Sequence, residues 1–171
     1  MRAGATTGSK SGDAHAQIGN GKLHLGQAED TEAHIQEALR LSPHDKISHV
    51  WCVIAGMAKL YLHREEEAVT WLQRSIEINR SFPPSHFVLA AALAHLARLP
   101  EARSALRAGL AINPTLTISR VRANAPSDNP IAVAGREHFI SGLRKAGMGR
   151  SKRGAADSSG QMLQIHPVAV R

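Results

Sequence analysis

Apolar and polar positions recur with a helical period through most of the chain. Three segments carry nearly the same pattern: EDTEAHIQEALRLSP ending at Pro43, EEEAVTWLQRSIEINR ending at Arg80, and LPEARSALRAGLAINP ending at Pro114. Each has a small residue (Thr31, Ala68, Ala102) and a large apolar residue four positions on (Ile35, Leu72, Leu106). A second small residue follows three further along (Ala38, Ser75, Gly109), then at once Leu39, Ile76 or Leu110. Those offsets put all four positions on one face of a helix. Another apolar helix precedes each of the last two segments, ISHVWCVIAGMAKLYL and PSHFVLAAALAHLARL. Each pair reads as helix, tight turn, helix, with small residues allowing close approach and Pro114 ending the last second helix.

The second and third segments lie 34 residues apart, the first and second 37. Helix pairs at this period, with Gly56 and Ala90 in the first helices and Ala68 and Ala102 in the second, resemble tetratricopeptide (TPR) repeats. The expected fold is all-α, an antiparallel αα-hairpin solenoid of about two and a half repeats with a C-terminal capping helix. Residues 1–22, rich in Gly, Ser, Thr and Ala, read as a disordered N-terminal segment. Residues 23–43 read as a half repeat, because Gly19, Asn20 and Gly21 weaken any helix ahead of it. Residues 44–80 and 81–114 form full repeats, 115–147 capping helices and 148–171 a basic disordered tail. In the capping region Ile131, Val133, Phe139, Ile140 and Leu143 mark the expected apolar face, with Asp128 as N-cap and Gly147 as stop. The half repeat leaves an apolar face of residues 29–41 uncovered, which implies self-association through that side.

Residues 23–148 are also similar, more narrowly, to the C-terminal TPR region of bacterial class III adenylate/guanylate cyclase-type or winged-helix regulatory proteins. The segments carrying this resemblance are WCVIAGMAKLYLHREEEAVTWLQRSIEIN, SFPPSHFVLAAALAHLARLPEARSALRAGLAINP and the closing SDNP with GLRKAGM. It implies an architecture and no activity, since the cyclase metal carboxylates have no counterpart here.

Charge changes the picture little. The formal net charge is +7, but +2 of it falls in residues 1–22 and +3 in residues 149–171. The basic cluster Arg150, Lys152 and Arg153 has no interleaved aromatics to stack bases, which argues against a nucleic-acid partner. The apolar run from Ile47 to Leu62 is interrupted by Ser48, His49 and Lys59 and is short for a membrane span. No signal-like segment stands at the N-terminus, so a cytoplasmic location is expected. The single Cys52 cannot form an internal disulfide and reads as a small packed hydrophobe.

Candidate chemistry is thin. The ten histidines show no HExxH or CxxC-like spacing, so neither a metal nor a cofactor is expected. Gly19-Asn20-Gly21-Lys22 lacks the upstream glycine and the Ser or Thr of a phosphate loop. No nucleophile motif is present, and the chain reads as a non-enzyme. What remains is the face lined by the first helices. The family resemblance places groove positions at Val50, Val53, Met57, Leu60, Phe87, Ala91, Ala94 and His95, where a partner peptide or helix would dock by apolar burial. The expected function is therefore non-catalytic protein–protein interaction. The alternative is a detached C-terminal regulatory or dimerisation part of an adenylate/guanylate cyclase or transcriptional regulator.

Overall fold

A computed structural model describes residues 5–124 and 127–149. Among them the chain forms eight α-helices: α1 (Ala5–His24), α2 (Ala28–Leu41), α3 (Ser48–Tyr61), α4 (Glu65–Ile78), α5 (Pro83–His95), α6 (Leu99–Ile112), α7 (Ile118–Ala123) and α8 (Pro130–Ala146). The first six pair as antiparallel hairpins, α1 with α2, α3 with α4 and α5 with α6. Each hairpin then packs on the next, α2 against α3 and α4 against α5. The repeat face of the second helices is buried as the pattern requires: Thr31, Ile35, Ala38, Ala68, Leu72, Ser75, Ala102, Leu106 and Gly109 all lie in the interior.

The turns repeat as well. His63 and Ala97, 34 residues apart, close their hairpins with left-handed backbones at φ 57° and 59°. Just beyond each, an arginine pairs with the glutamate three residues on, Arg64 with Glu67 and Arg98 with Glu101. These glutamates sit in the first turns of α4 and α6, where a negative charge complements the helix dipole. None of α2 to α6 has a side-chain N-cap bond, so tertiary packing carries these short helices.

The N-terminal reading needs correction. Residues 5–22, taken from the sequence as disordered, belong to α1, and the half repeat is a full hairpin. Gly19, expected from the sequence to break a helix, lies 37 residues before Gly56 and is its repeat equivalent. A Cβ there would stand 3.2 Å from the Thr31 carbonyl oxygen and from His34 Cβ. The Thr31 hydroxyl donates to the Gly19 carbonyl at 3.1 Å across the same contact. Gly12 plays a similar part, since a Cβ there would meet Ser42 Oγ at 2.7 Å. The glycines that lower helix propensity are what let α1 lie close to α2. Ala16 of α1, with Ile35, Ala38, Leu39, Trp51, Cys52 and Ala55, forms one apolar cluster. The face of α2 is thereby covered, which removes the stated ground for self-association.

Two polar features tie the hairpins. Lys59 is almost wholly buried, yet its ammonium meets Glu32 of α2 and Glu67 of α4, the latter at 2.8 Å. Burial alone would lower its pKa, and the hydrogen bonds it donates to the two carboxylates reverse this and hold it above the ordinary lysine value. Ser75 Oγ, fully buried, donates to the His49 carbonyl at 2.7 Å and lies 2.7 Å from Ser85 Oγ, joining α3, α4 and α5. Cys52 is buried in the first cluster, and desolvation pushes its thiol up to about 11. It is a packing residue.

Met148 and Gly149 are the described part of the expected tail, and Met148 is buried in the main core. The rest of that tail, including Arg150, Lys152 and Arg153, lies outside the described residues. Among the described residues no helix is long and apolar enough to cross a membrane.

Candidate functional site: an inner face crossed by the last helix

The first helices α3 and α5 present the face on which the sequence placed a groove. That face is not open along its length. The last helix, α8, lies against α5 and α3, with a smaller contact to α6. Its start is tied to the far end of the solenoid. Ser127 Oγ donates to the His24 carbonyl at 2.6 Å, and Asn129 Nδ2 donates to the Leu25 carbonyl at 3.0 Å. Gly26, at φ 77°, turns the α1–α2 connection beneath Asn129, whose Oδ1 would be 2.6 Å from a Cβ at that position. The N-cap of α8 is Asn129, not Asp128: its Oδ1 accepts from the Ile131 and Ala132 amides. Gly147, in the left-handed conformation at φ 110°, ends the helix.

The buried face of α8 also differs from expectation. Phe139, Ile140 and Leu143 are buried as predicted, whereas Ile131 is 65% exposed. The contact is made by small residues, Ala132, Gly135, Gly142 and Ala146, with Phe139 and Leu143 between them. A Cβ on Gly142 would be 2.7 Å from both Cβ and the carbonyl oxygen of Ala91. One on Gly135 would stand 2.3 Å from the Tyr61 ring. Those two glycines let α8 settle onto α5 and onto the end of α3.

The predicted groove residues therefore divide. Leu60, Phe87, Ala91 and Ala94 are core, buried with Phe139, Leu143, Ala146 and Met148 of the C-terminal segment. Phe87 packs its ring within 2.7 Å of where a Gly109 Cβ would sit, so it faces α6. Val50 packs at the edge of the N-terminal cluster, away from the rest. His95 is half-buried under α8: its Nε2 donates to the His138 carbonyl at 2.9 Å, and its ring stacks on that of His138 at 3.7 Å between centroids. Burial lowers the pKa of both histidines, more than their hydrogen bonds raise it.

Two of the predicted groove residues, partly buried Met57 and the core residue Val53, reach the wall of a cleft. They line a cleft of about 240 Å³ together with Ile54 and Tyr61 of α3, Asn20, Leu23 and His24 of α1, Val121 of α7 with Asn124 at its end, and Arg136 and Phe139 of α8. The lining is mainly apolar, and its one permanently charged group is the Arg136 guanidinium. Arg136 Nη1 donates to the Ser127 carbonyl at 3.2 Å, while its Nε is buried without a hydrogen-bond partner among the described residues. Burial raises the Tyr61 phenol, partly offset by the nearby arginine, and lowers His24. At neutral pH the cleft is thus an apolar recess bordered by a single cation. Sequence reasoning missed Arg136 and the α1 wall because both depend on how the two ends of the chain meet.

No family model matches the chain, and no curated protein sequence matches it. Solved structures do resemble it. The first TPR of Spaghetti (RPAP3) bound to the HSP90 peptide SRMEEVD superposes with a TM-score of 0.58 at 17% identity, covering 80% of this chain and 95% of that one. The first TPR domain of the human RPAP3 protein, an NMR structure, gives 0.59 at 16% identity, covering 81% and 96%. The repeat geometry and these neighbours define the class of fold: a TPR-like αα-hairpin solenoid.

Proposed function

We propose that this chain is a non-catalytic protein–protein interaction module that takes an apolar side chain with a neighbouring carboxylate, from a partner polypeptide, in the cleft between α1, α3, α7 and α8. The carrying observation is the Arg136 guanidinium, held at an apolar recess with its Nε unpartnered among the described residues. A carboxylate entering the cleft would find the guanidinium as its one cationic partner there. The recess is large enough for one side chain and too small for a helix to enter. The solved Spaghetti domain holds an acidic peptide, which supports this class of partner.

The test is a panel of short peptides pairing Leu, Met or Val with a following Asp or Glu, followed by NMR shifts of the Met57 methyl and the Arg136 side chain. Binding peptides should move those signals first. Met57→Glu and Arg136→Glu should each weaken binding by at least about tenfold, the worth of one charge-assisted hydrogen bond, with helicity unchanged. Peptides that bind equally well to both variants would refute the cleft as the docking site.

A second reading, a regulatory or dimerisation part of a cyclase or transcription regulator, draws on the exposed Ile18 of α1, at 47%. An apolar side chain there suits a covering domain. Blotting native cells against residues 44–146 separates the two. A band near 18.4 kDa leaves the free module, and a much larger one supports the regulator.

A further inference from the structure

The docking of α8 brings His138 onto two side chains of the α3–α4 turn that lie 73 and 75 residues before it in the sequence. His63 lies in the α3–α4 turn, Glu65 opens α4, and His138 sits midway along α8. His138 Nε2 is 2.9 Å from Glu65 Oε1, and His63 Nδ1 is 4.0 Å from the same oxygen. One ligand atom from each residue lies within 4.8 Å of the others. Two ligands bound at about 2.0 Å to a tetrahedral zinc ion stand roughly 3.3 Å apart, between the two separations to Glu65 Oε1.

We propose that His63, Glu65 and His138 form a binding site for a divalent transition-metal cation of the zinc class, and that the bound ion pins α8 to the α3–α4 turn. Two imidazoles and a carboxylate are a donor set suited to zinc, and three protein ligands leave a fourth position for water. The His63 side chain is 68% exposed, giving an ion a route in and a ring free to close the remaining distance.

The surroundings fix His138 from behind. The Lys145 ammonium, 3.2 Å from His95 Nδ1, can only donate, so His95 Nδ1 accepts and Nε2 carries the proton given to the His138 carbonyl. This neutral His95 ring is the flat surface on which the His138 ring stacks, at an interplanar angle of 14°. The ring of His63 stands edge-on to that of His138 at 4.0 Å. The third hairpin is an internal control. Its turn has the same left-handed backbone, but Ala97 and Leu99 stand where His63 and Glu65 do. The turn geometry therefore requires neither side chain.

The experiment uses the untagged full chain, titrated with zinc by calorimetry and with cobalt(II) by visible absorption, alongside His63→Ala, Glu65→Gln and His34→Ala. His63→Ala alters an exposed side chain and leaves the fold intact. His34→Ala controls for the other histidine pair, His15 and His34, whose Nδ1 atoms are 3.5 Å apart. The expected result is one equivalent bound, with a four- or five-coordinate cobalt spectrum. Binding should weaken at least about tenfold in His63→Ala and in Glu65→Gln and stay unchanged in His34→Ala. Amide exchange in α8 should slow with zinc in the parent chain and not in His63→Ala. Binding weaker than about 0.1 mM, equal affinity in His63→Ala, or loss in His34→Ala overturns the site. Unaltered α8 exchange on binding overturns the pinning. None of these readouts depends on a peptide in the neighbouring cleft.

Discussion

Trp51→Ala is expected to destabilise the chain by about 3–5 kcal/mol, the usual cost of deleting a large buried aromatic, and to do so unevenly. The indole is 1% exposed and packs in the cluster that joins α1, α2 and α3. The larger cluster, built from Val53, Leu60, Leu72, Phe87, Leu93 and Leu106 with the C-terminal segment, does not include Trp51. In a solenoid each hairpin leans mainly on its neighbours, so damage at one end need not spread to the other. Urea unfolding followed by circular dichroism should show an early transition for the first hairpin ahead of the rest. Hydrogen exchange should show α1 and α2 amides opening while α5 and α6 stay protected. A single cooperative transition shifted by less than about 1 kcal/mol would mean that the indole is not the centre of that cluster.

Gly142→Leu is expected to lift α8 from the inner face. The nearest atoms to a new Cβ include the carbonyl oxygen and Cα of Ala91, at 2.7 and 2.8 Å, and a helix backbone cannot step aside as a flexible side chain can. Overpacking of this kind costs about 1–3 kcal/mol or more when the neighbour is rigid. The six hairpin helices have their own interfaces, so the cost should fall on the docking of α8. Exchange protection of residues 130–146 should collapse, Phe139 and Leu143 should become exposed, and a dye that binds apolar surface should brighten. Retained protection of α8 would show that the α5 contact is not what holds it.

The hairpins were legible because their signal is local and periodic. The small residue, large apolar residue and second small residue recur at fixed offsets in α2, α4 and α6, and those positions are the buried ones. The first helix of the first hairpin was not legible. Gly12 and Gly19 lower helix propensity, and only contact with α2 reveals what a missing side chain allows. The groove was read from register alone: nothing local says that a later helix packs on Ala91, or that the Phe87 ring turns toward Gly109 of α6. The covering face of α8 was misread for a related reason. Large apolar residues drew attention to Ile131, while the close approach is made by Gly135 and Gly142. The His63, Glu65 and His138 cluster has no sequence signature, since His138 joins the other two only after α8 has docked.

The bonds from Ser127 and Asn129 to the carbonyls of His24 and Leu25 have a consequence in time. They span 103 and 104 residues, so a fold built of local hairpins is closed over a long range by the segment that carries α8. During synthesis the hairpins can form in order as they leave the ribosome, α5 ending at His95 and α8 not beginning until Pro130. At about 5–20 residues per second the apolar inner face stands uncovered for seconds before its own helix arrives. In that interval Leu60, Ala91 and Ala94 are available to any chaperone or neighbouring chain. The nascent protein thus offers a broader apolar surface than the finished one, and the window closes when α8 is released.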